Sequence, residues 1–139
     1  MSLIKLLSFP LLGDERGGLV SVEKKTGLPF EIKRVYYLYD TPENVTRGMH
    51  AHKELKQVAI AVKGSCKFIL DDGIRREEVI LDSPKTGLLI ESFMWREMKD
   101  FSEDCLLMVL ASEEYDESDY IRDYEKFQKE VVKNDSPSE

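Results

Sequence analysis

The sequence predicts an all-β protein closed into a sandwich, a jelly roll or a small barrel, with one helix near its C-terminal end. Three observations carry this reading. About eight short apolar or alternating runs are punctuated by turn residues, no helical pattern falls between any two of them, and helical periodicity is confined to the stretch after Tyr115.

The strands follow in order. Leu3 to Ser8 is an apolar run, and Leu19 to Val22 follows the Gly17-Gly18 turn. Lys33 to Tyr39 is rich in aromatic and branched residues and stops at Asp40-Thr41-Pro42. Val58 to Val62 and Cys66 to Leu70 flank Lys63-Gly64-Ser65, and Arg75 to Leu81 follows Asp71-Asp72-Gly73. Asp72-Gly73 is a hairpin signal because both residues tolerate positive φ. Ser83-Pro84 precedes Gly87 to Ile90, and Leu106 to Ala111 is the last strand. Tyr120, Tyr124, Phe127 and Val131 then recur at spacings of four, three and four, one face of a helix that Ser118 or Asp116 can cap. Lys133 to Glu139 is polar, contains Pro137 and reads as a tail. The expected organisation is a single domain over residues 1–132 followed by a tail over 133–139, with no internal repeat or linker.

A chain of 139 residues with 42% apolar and 34% charged side chains has a globular balance. A domain of this length buries roughly two thirds of its unfolded surface, so it needs no disulfide or metal to hold a core. No apolar run approaches the ~20 residues of a membrane span, and the N-terminus has no basic region leading into an apolar stretch. The expectation is therefore a cytoplasmic chain with no membrane partner. Twenty basic against 27 acidic residues give a net charge of −7, which disfavours nucleic acid. A few arginines in a cleft can still hold one phosphate-bearing small molecule. Cys66 and Cys105 sit in strand-like runs and read as reduced core thiols.

The chemistry concentrates in Arg47-Gly48-Met49-His50-Ala51-His52, which holds both histidines of the chain. In an extended segment, residues two apart share a face, so both imidazoles point the same way. Gln57 follows five residues after His52, and Gly64 seven residues further on. Gly-x-His-x-His, a polar residue and then glycine match the first motif of the cupin jelly rolls, where two histidines and a glutamate bind metal. Here the glutamate place holds neutral Gln57. The neighbourhood of the second motif, Pro84 to Met98, offers Trp95 and Arg96 in place of a third histidine. Two imidazoles without a carboxylate make a weak metal site, so no metal and no cofactor are expected. The pair reads instead as acid–base groups, since imidazole takes and returns a proton near neutral pH. Arg16, Arg34, Arg47 and Arg96 are candidates for a diphosphate or a sugar, and Tyr36 for stacking on a base or donating to a sugar oxygen.

The ordered set Arg16-Gly17, Leu28-Pro29-Phe30, Lys33-Arg34-Val35-Tyr36-Tyr37, Arg47 to His52, Leu70 to Gly73, Leu81 to Pro84, Asp100-Phe101-Ser102, Val109 to Ser112 and Tyr115 to Ile121 resembles the sugar 3,4-ketoisomerases. These enzymes act on thymidine-diphosphate-linked (dTDP-linked) 4-keto-6-deoxyhexoses. The resemblance runs from about Phe9 to Phe127. It implies a cupin-type jelly-roll barrel, a homodimer with exchanged N-terminal strands, and a metal-independent isomerase supplying 3-amino-3,6-dideoxyhexoses for surface polysaccharides. By matching position it implies His50 and His52 as the catalytic pair. Arg16, Arg34, Tyr36, Arg47, Gln57, Trp95 and Arg96 would contact the dTDP-linked keto-deoxyhexose. The Arg16-Gly17 pair resembles the subgroup that inverts C4 and yields dTDP-3-keto-6-deoxygalactose, whereas Arg96 stands where relatives often carry histidine. Two other readings use the same cleft. One is a sugar-nucleotide binding or sensor module, and the other a sugar-nucleotide epimerase, which asks for a histidine–carboxylate pair and a tyrosine acid.

Overall fold

A computed structural model describes residues 2–135, with side chains through Lys133. Its strands are β1 (Lys5–Ser8), β2 (Arg34–Tyr39), β3 (Arg47–His52), β4 (Gln57–Lys63), β5 (Cys66–Asp71), β6 (Arg76–Leu81), β7 (Thr86–Ile90), β8 (Trp95–Lys99), β9 (Leu106–Ala111) and β10 (Tyr120–Ile121). One helix, α1 (Tyr124–Asp135), follows them. The strands form two five-stranded antiparallel sheets in the orders β1-β7-β4-β9-β2 and β10-β3-β8-β5-β6. They face each other as a cupin-type jelly roll.

Three apolar clusters follow from this layout. Alternation on β4, β5, β7 and β9 sends Ala59, Ala61, Phe68, Leu70, Leu88, Ile90, Leu107 and Val109 between the sheets. The opposite face of the first sheet, with Val58, Ile60 and Leu110, packs under Phe9 and Leu28 of the N-terminal segment. The outer face of the second sheet, with Ala51, Trp95 and Ile121, packs under Phe127 and Val131 of α1. The barrel is therefore clad on both sides, which leaves its interior free to hold a polar site at one end.

Most expected strands form within a residue or two of their expected bounds, but three expectations need correction. Leu19 to Val22 makes only the isolated bridge Leu11↔Val20, next to the tight turn closed by Asp14↔Gly17, where Gly17 adopts φ 136°. β8 went unrecognised because Trp-Arg-Glu-Met-Lys has neither branched residues nor a simple apolar alternation: one face lies under α1 and the other lines a polar interior. The hairpin expected at Asp72-Gly73 forms, joining β5 to β6 through residues 72–75 with Gly73 at φ 97° and the Asp72 carboxylate accepting from Ile74 and Arg75 N–H at 2.9 and 2.8 Å.

The third correction concerns the helix. Tyr120 is in β10, paired opposite His52, and the helix begins only at Tyr124. Its cap is Asp123, whose carboxylate accepts from Glu125 and Lys126 N–H at 2.9 and 3.4 Å. Asp116 caps the short 3-10 turn Glu117–Asp119 instead. The helix also continues through Asp135 where a tail was expected; 136–139 lie outside the described residues.

Phe127 is fully buried against Trp95, with ring centroids 5.8 Å apart. Phe127→Ala is expected to lower stability by about 3–5 kcal/mol, measured by urea unfolding with the single tryptophan as reporter. An unchanged midpoint would show that α1 is not part of the cooperative unit.

Candidate active site

The site is built on an irregular strand. In β3 the register shifts between Gly48 and His50, where Gly48 (φ 86°) and Met49 (φ 57°) both adopt left-handed backbone. Gly48 is required there, since a Cβ would approach the Arg96 carbonyl oxygen to 3.0 Å. Beyond the bulge the alternation resumes, and His50 and His52 share the inner face with ring centroids 4.9 Å apart.

Each imidazole is held through Nδ1. His50 Nδ1 lies 3.0 Å from the Gly48 carbonyl oxygen, and His52 Nδ1 lies 3.2 Å from a carboxylate oxygen of Asp119. Both partners can only accept, so both Nδ1 atoms carry the proton and both Nε2 atoms keep a lone pair. The His52 Nε2 is buried without a hydrogen-bond partner. Burial, and next the Arg96 cation, lower the proton affinity of His50 to a pKa of about 4 and that of His52 to about 2. Both rings are therefore neutral proton acceptors at pH 7.

Arg96 faces inward from β8 and is fully buried, yet its pKa falls only to about 10, so it stays charged. Nε and Nη2 donate to the Met94 carbonyl at 3.2 and 3.0 Å, and Nη1 donates to Gln57 Oε1. Gln57 Nε2 then donates to the Tyr36 hydroxyl oxygen at 2.8 Å. With its oxygen occupied as an acceptor, Tyr36 has its own O–H free to donate. Burial raises the Tyr36 pKa and keeps that proton in place.

Beside His50 is a cavity of about 270 Å³ lined by Arg34, Tyr36, Leu38, Arg47, Gly48, His50, Met98, Tyr120 and Arg122. Arg34 Nε and Nη2 are buried without hydrogen-bond partners, and its guanidinium lies 5.1 Å from the Tyr36 ring centroid and 5.7 Å from that of Tyr115. The Arg122 guanidinium sits 4.1 Å from the Tyr120 ring centroid and is paired with Glu117 at 2.9 Å. Three arginines on one cavity suit a diphosphate.

The fold thus gathers His50, His52, Arg34, Tyr36, Arg47, Gln57 and Arg96. Two predicted contacts fall elsewhere. Trp95 is on the opposite face of β8 from Arg96, where its Nε1–H donates to Glu97 at 3.1 Å and its ring packs on Tyr124 and Phe127. Arg16 is at the tip of the Asp14–Gly17 turn, paired with Asp14 at 2.6 Å, with its side chain 86% exposed. Sequence reasoning missed Asp119, Tyr120 and Arg122. Tyr120 packs 4.3 Å from His52 and 5.0 Å from His50, centroid to centroid. Two paired residues are too short a strand to show a period, so the helical spacing of Tyr120 masked its position. His52, Asp119 and Tyr120 together also make the histidine–carboxylate–tyrosine set that the epimerase reading asks for.

A metal ion here would have to use the two Nε2 atoms. Both ends of the Gln57 amide are committed to Arg96 and Tyr36, and the buried Arg96 cation opposes a second positive charge. Among the described residues, no three or more His, Cys, Asp and Glu side chains cluster to hold a metal ion.

A family model described as FdtA: WxcM-like, C-terminal matches residues 2–132. TDP-4-oxo-6-deoxy-alpha-D-glucose-3,4-oxoisomerase of Aneurinibacillus thermoaerophilus is 51% identical over 129 residues, 93% of each chain. The sugar 3,4-ketoisomerase QdtA of Thermoanaerobacterium thermosaccharolyticum, solved with TDP, is 44% identical over 96% of this chain and 97% of its own, with a TM-score of 0.92. A QdtA variant with one histidine replaced by asparagine, solved with TDP-4-keto-6-deoxyglucose, is 42% identical over 99% of both chains, with a TM-score of 0.93. From the fold, the arginine-lined cavity with its histidine pair and these likenesses, the chain belongs to the FdtA, WxcM-like family of sugar 3,4-ketoisomerases.

Proposed function

We propose that this TDP-sugar 3,4-ketoisomerase takes TDP-4-keto-6-deoxyglucose and yields TDP-3-keto-6-deoxygalactose. The observation that carries the mechanism is a pair of neutral imidazoles, each held through Nδ1: His50 lines an arginine-rich cavity, and His52 packs against it with a buried, unpartnered Nε2. The C4 ketone acidifies the C3 hydrogen, and one imidazole removes it. The electrons move into the C3–C4 bond and onto O4, giving an enediolate. Tyr36, backed by Gln57 and Arg96, is the donor for that oxyanion. O4 takes a proton and O3 gives one up, the ketone forms at C3 as the electrons return to C4, and C4 takes a proton; two protons leave, from C3 and O3, and two arrive, at O4 and C4, so no atoms or electrons are gained overall. Arg34, with two unpartnered N–H groups, and Arg47 at the rim receive the diphosphate.

A binding module without chemistry would have no use for two proton acceptors beside a polarised donor. An epimerase would start from the same enediolate, but the relatives at 42–51% identity carry 3,4-isomerase names, which favours isomerisation. The product's 3-keto group suits a following amination, in the supply of 3-amino-3,6-dideoxyhexoses for surface polysaccharides. We place the reaction in the cytoplasm, in keeping with two free, buried cysteines. No helix among the described residues is long and apolar enough to cross a membrane.

We also infer a homodimer with exchanged N-terminal strands. Strand β1 is at the edge of its sheet with Leu6 52% exposed, and its ladder to β7 can equally be made by a neighbour's strand. Arg16 travels with that N-terminal segment, and we place its contact with the sugar in the partner's cavity. Light scattering is expected to give twice the 16.1 kDa chain mass; a monomer that turns over substrate would overturn the exchange.

His50→Asn and His52→Asn are each expected to retain the fold and lose about 10²–10⁴-fold in kcat. Full activity in both variants would remove the acid–base assignment. Proton NMR of the reaction in heavy water is expected to show deuterium at C4 of a galacto-configured 3-keto sugar. A gluco product would retain the reaction and refute the role given to Arg16-Gly17.

A further inference from the structure

We propose that Asp119 is the positioning residue that holds His52 as a proton acceptor toward the reacting sugar. This rests on the ketoisomerase reading above. Asp119 closes the 3-10 turn ahead of β10, and its backbone is fixed on both sides. Its N–H donates to the Asp116 carbonyl and its carbonyl accepts from Lys53 N–H, both at 3.0 Å. Its carboxylate accepts from Glu54 N–H at 2.9 Å, from Leu55 N–H at 3.3 Å and from His52 Nδ1 at 3.2 Å. Two of those donors are main-chain amides that cannot move away, so the carboxylate is clamped against the imidazole.

The consequence is a fixed tautomer. A carboxylate only accepts, so the proton is on Nδ1 and the lone pair on Nε2. That Nε2 is the buried, unpartnered nitrogen on a side chain 1% exposed. When it takes a proton from the sugar, the new imidazolium is close to several positive or titratable groups. These are His50 on its own strand, Arg96 on β8, Arg34 on β2, and Tyr120 with Arg122 from the last strand and its exit. Asp119 is the carboxylate in contact with the ring, and it opposes that repulsion as the charge develops. It acts through His52 and touches no substrate. The arrangement follows the general logic of a base oriented by a third group behind it.

The test is Asp119→Asn, read by ¹⁵N NMR of histidine-labelled protein without substrate; the two ring systems are told apart with His50→Asn. An asparagine has one accepting oxygen. Placed toward the immovable Glu54 N–H, that oxygen leaves the NH₂ facing His52 Nδ1, and the ring can meet it only by moving its own proton to Nε2. The wild-type protein is expected to show a pyridine-type Nε2 for His52, and the variant a pyrrole-type Nε2. In the variant kcat falls about 10³–10⁴-fold, while KM changes less than threefold and the His50 signals stay in place. Two results would overturn the proposal: a pyrrole-type His52 Nε2 in the wild type, whatever the variant does, or a flipped tautomer with kcat within threefold of wild type. Failure of the wild-type enzyme to convert TDP-4-keto-6-deoxyglucose would instead strike the functional reading, since the tautomer is measured without any sugar.

Discussion

A guanidinium sealed inside the barrel organises the rest of the site. Arg96 is fully buried, and its hydrogen-bond partners are neutral: the Met94 carbonyl and the Gln57 amide. Burying a charge without a bonded counter-charge costs several kcal/mol, and the fold tolerates this because the cation acts on everything around it. It lowers the proton affinity of both histidines, and it polarises a chain that runs through Gln57 to the Tyr36 hydroxyl. Burial first and this charge second keep both imidazoles neutral at pH 7, and the same charge backs a hydroxyl whose proton is free to be donated.

Holding those tools requires a barrel whose walls are packed from outside. The outer faces of the two sheets are covered by the N-terminal segment and by α1, so β8 can carry Trp95 outward into a dry interface and Arg96 inward into the site. The same division appears in the last strand, where Ile121 packs under the helix and Tyr120 lies against the imidazoles. The Gly48-Met49 bulge re-aims β3 so that both histidines reach the interior. The strain of Met49 at φ 57° is stored beside the chemistry, as is common where geometry matters more than local stability.

Part of this is legible in sequence because it depends on short-range rules. Period-two spacing places His50 and His52 on one face, and the alternation of β2 turns Arg34 and Tyr36 inward while Val35 and Tyr37 face out. Turn residues mark most strand ends, and the long resemblance to the ketoisomerases supplies the fold class. Trp95 shows the limit. It adjoins a site residue in the chain, yet adjacent residues on a strand face opposite ways, and nothing in the sequence of β8 says which face is inside.

Asp119 and Tyr120 were out of reach for another reason. They are 67 and 68 positions from His52, and their contacts with it come from a two-residue pairing too short to leave a period. The tyrosine spacing continues into a true helix, so local pattern assigned Tyr120 to the wrong element. Residue types and their order are given with the chain, and the faces that β2 and β3 present follow from backbone periodicity. Which cation lies close to the histidines, which carboxylate holds one of them and which tautomer results are settled by the folded arrangement alone. These depend on non-local packing and on burial strong enough to move proton affinities.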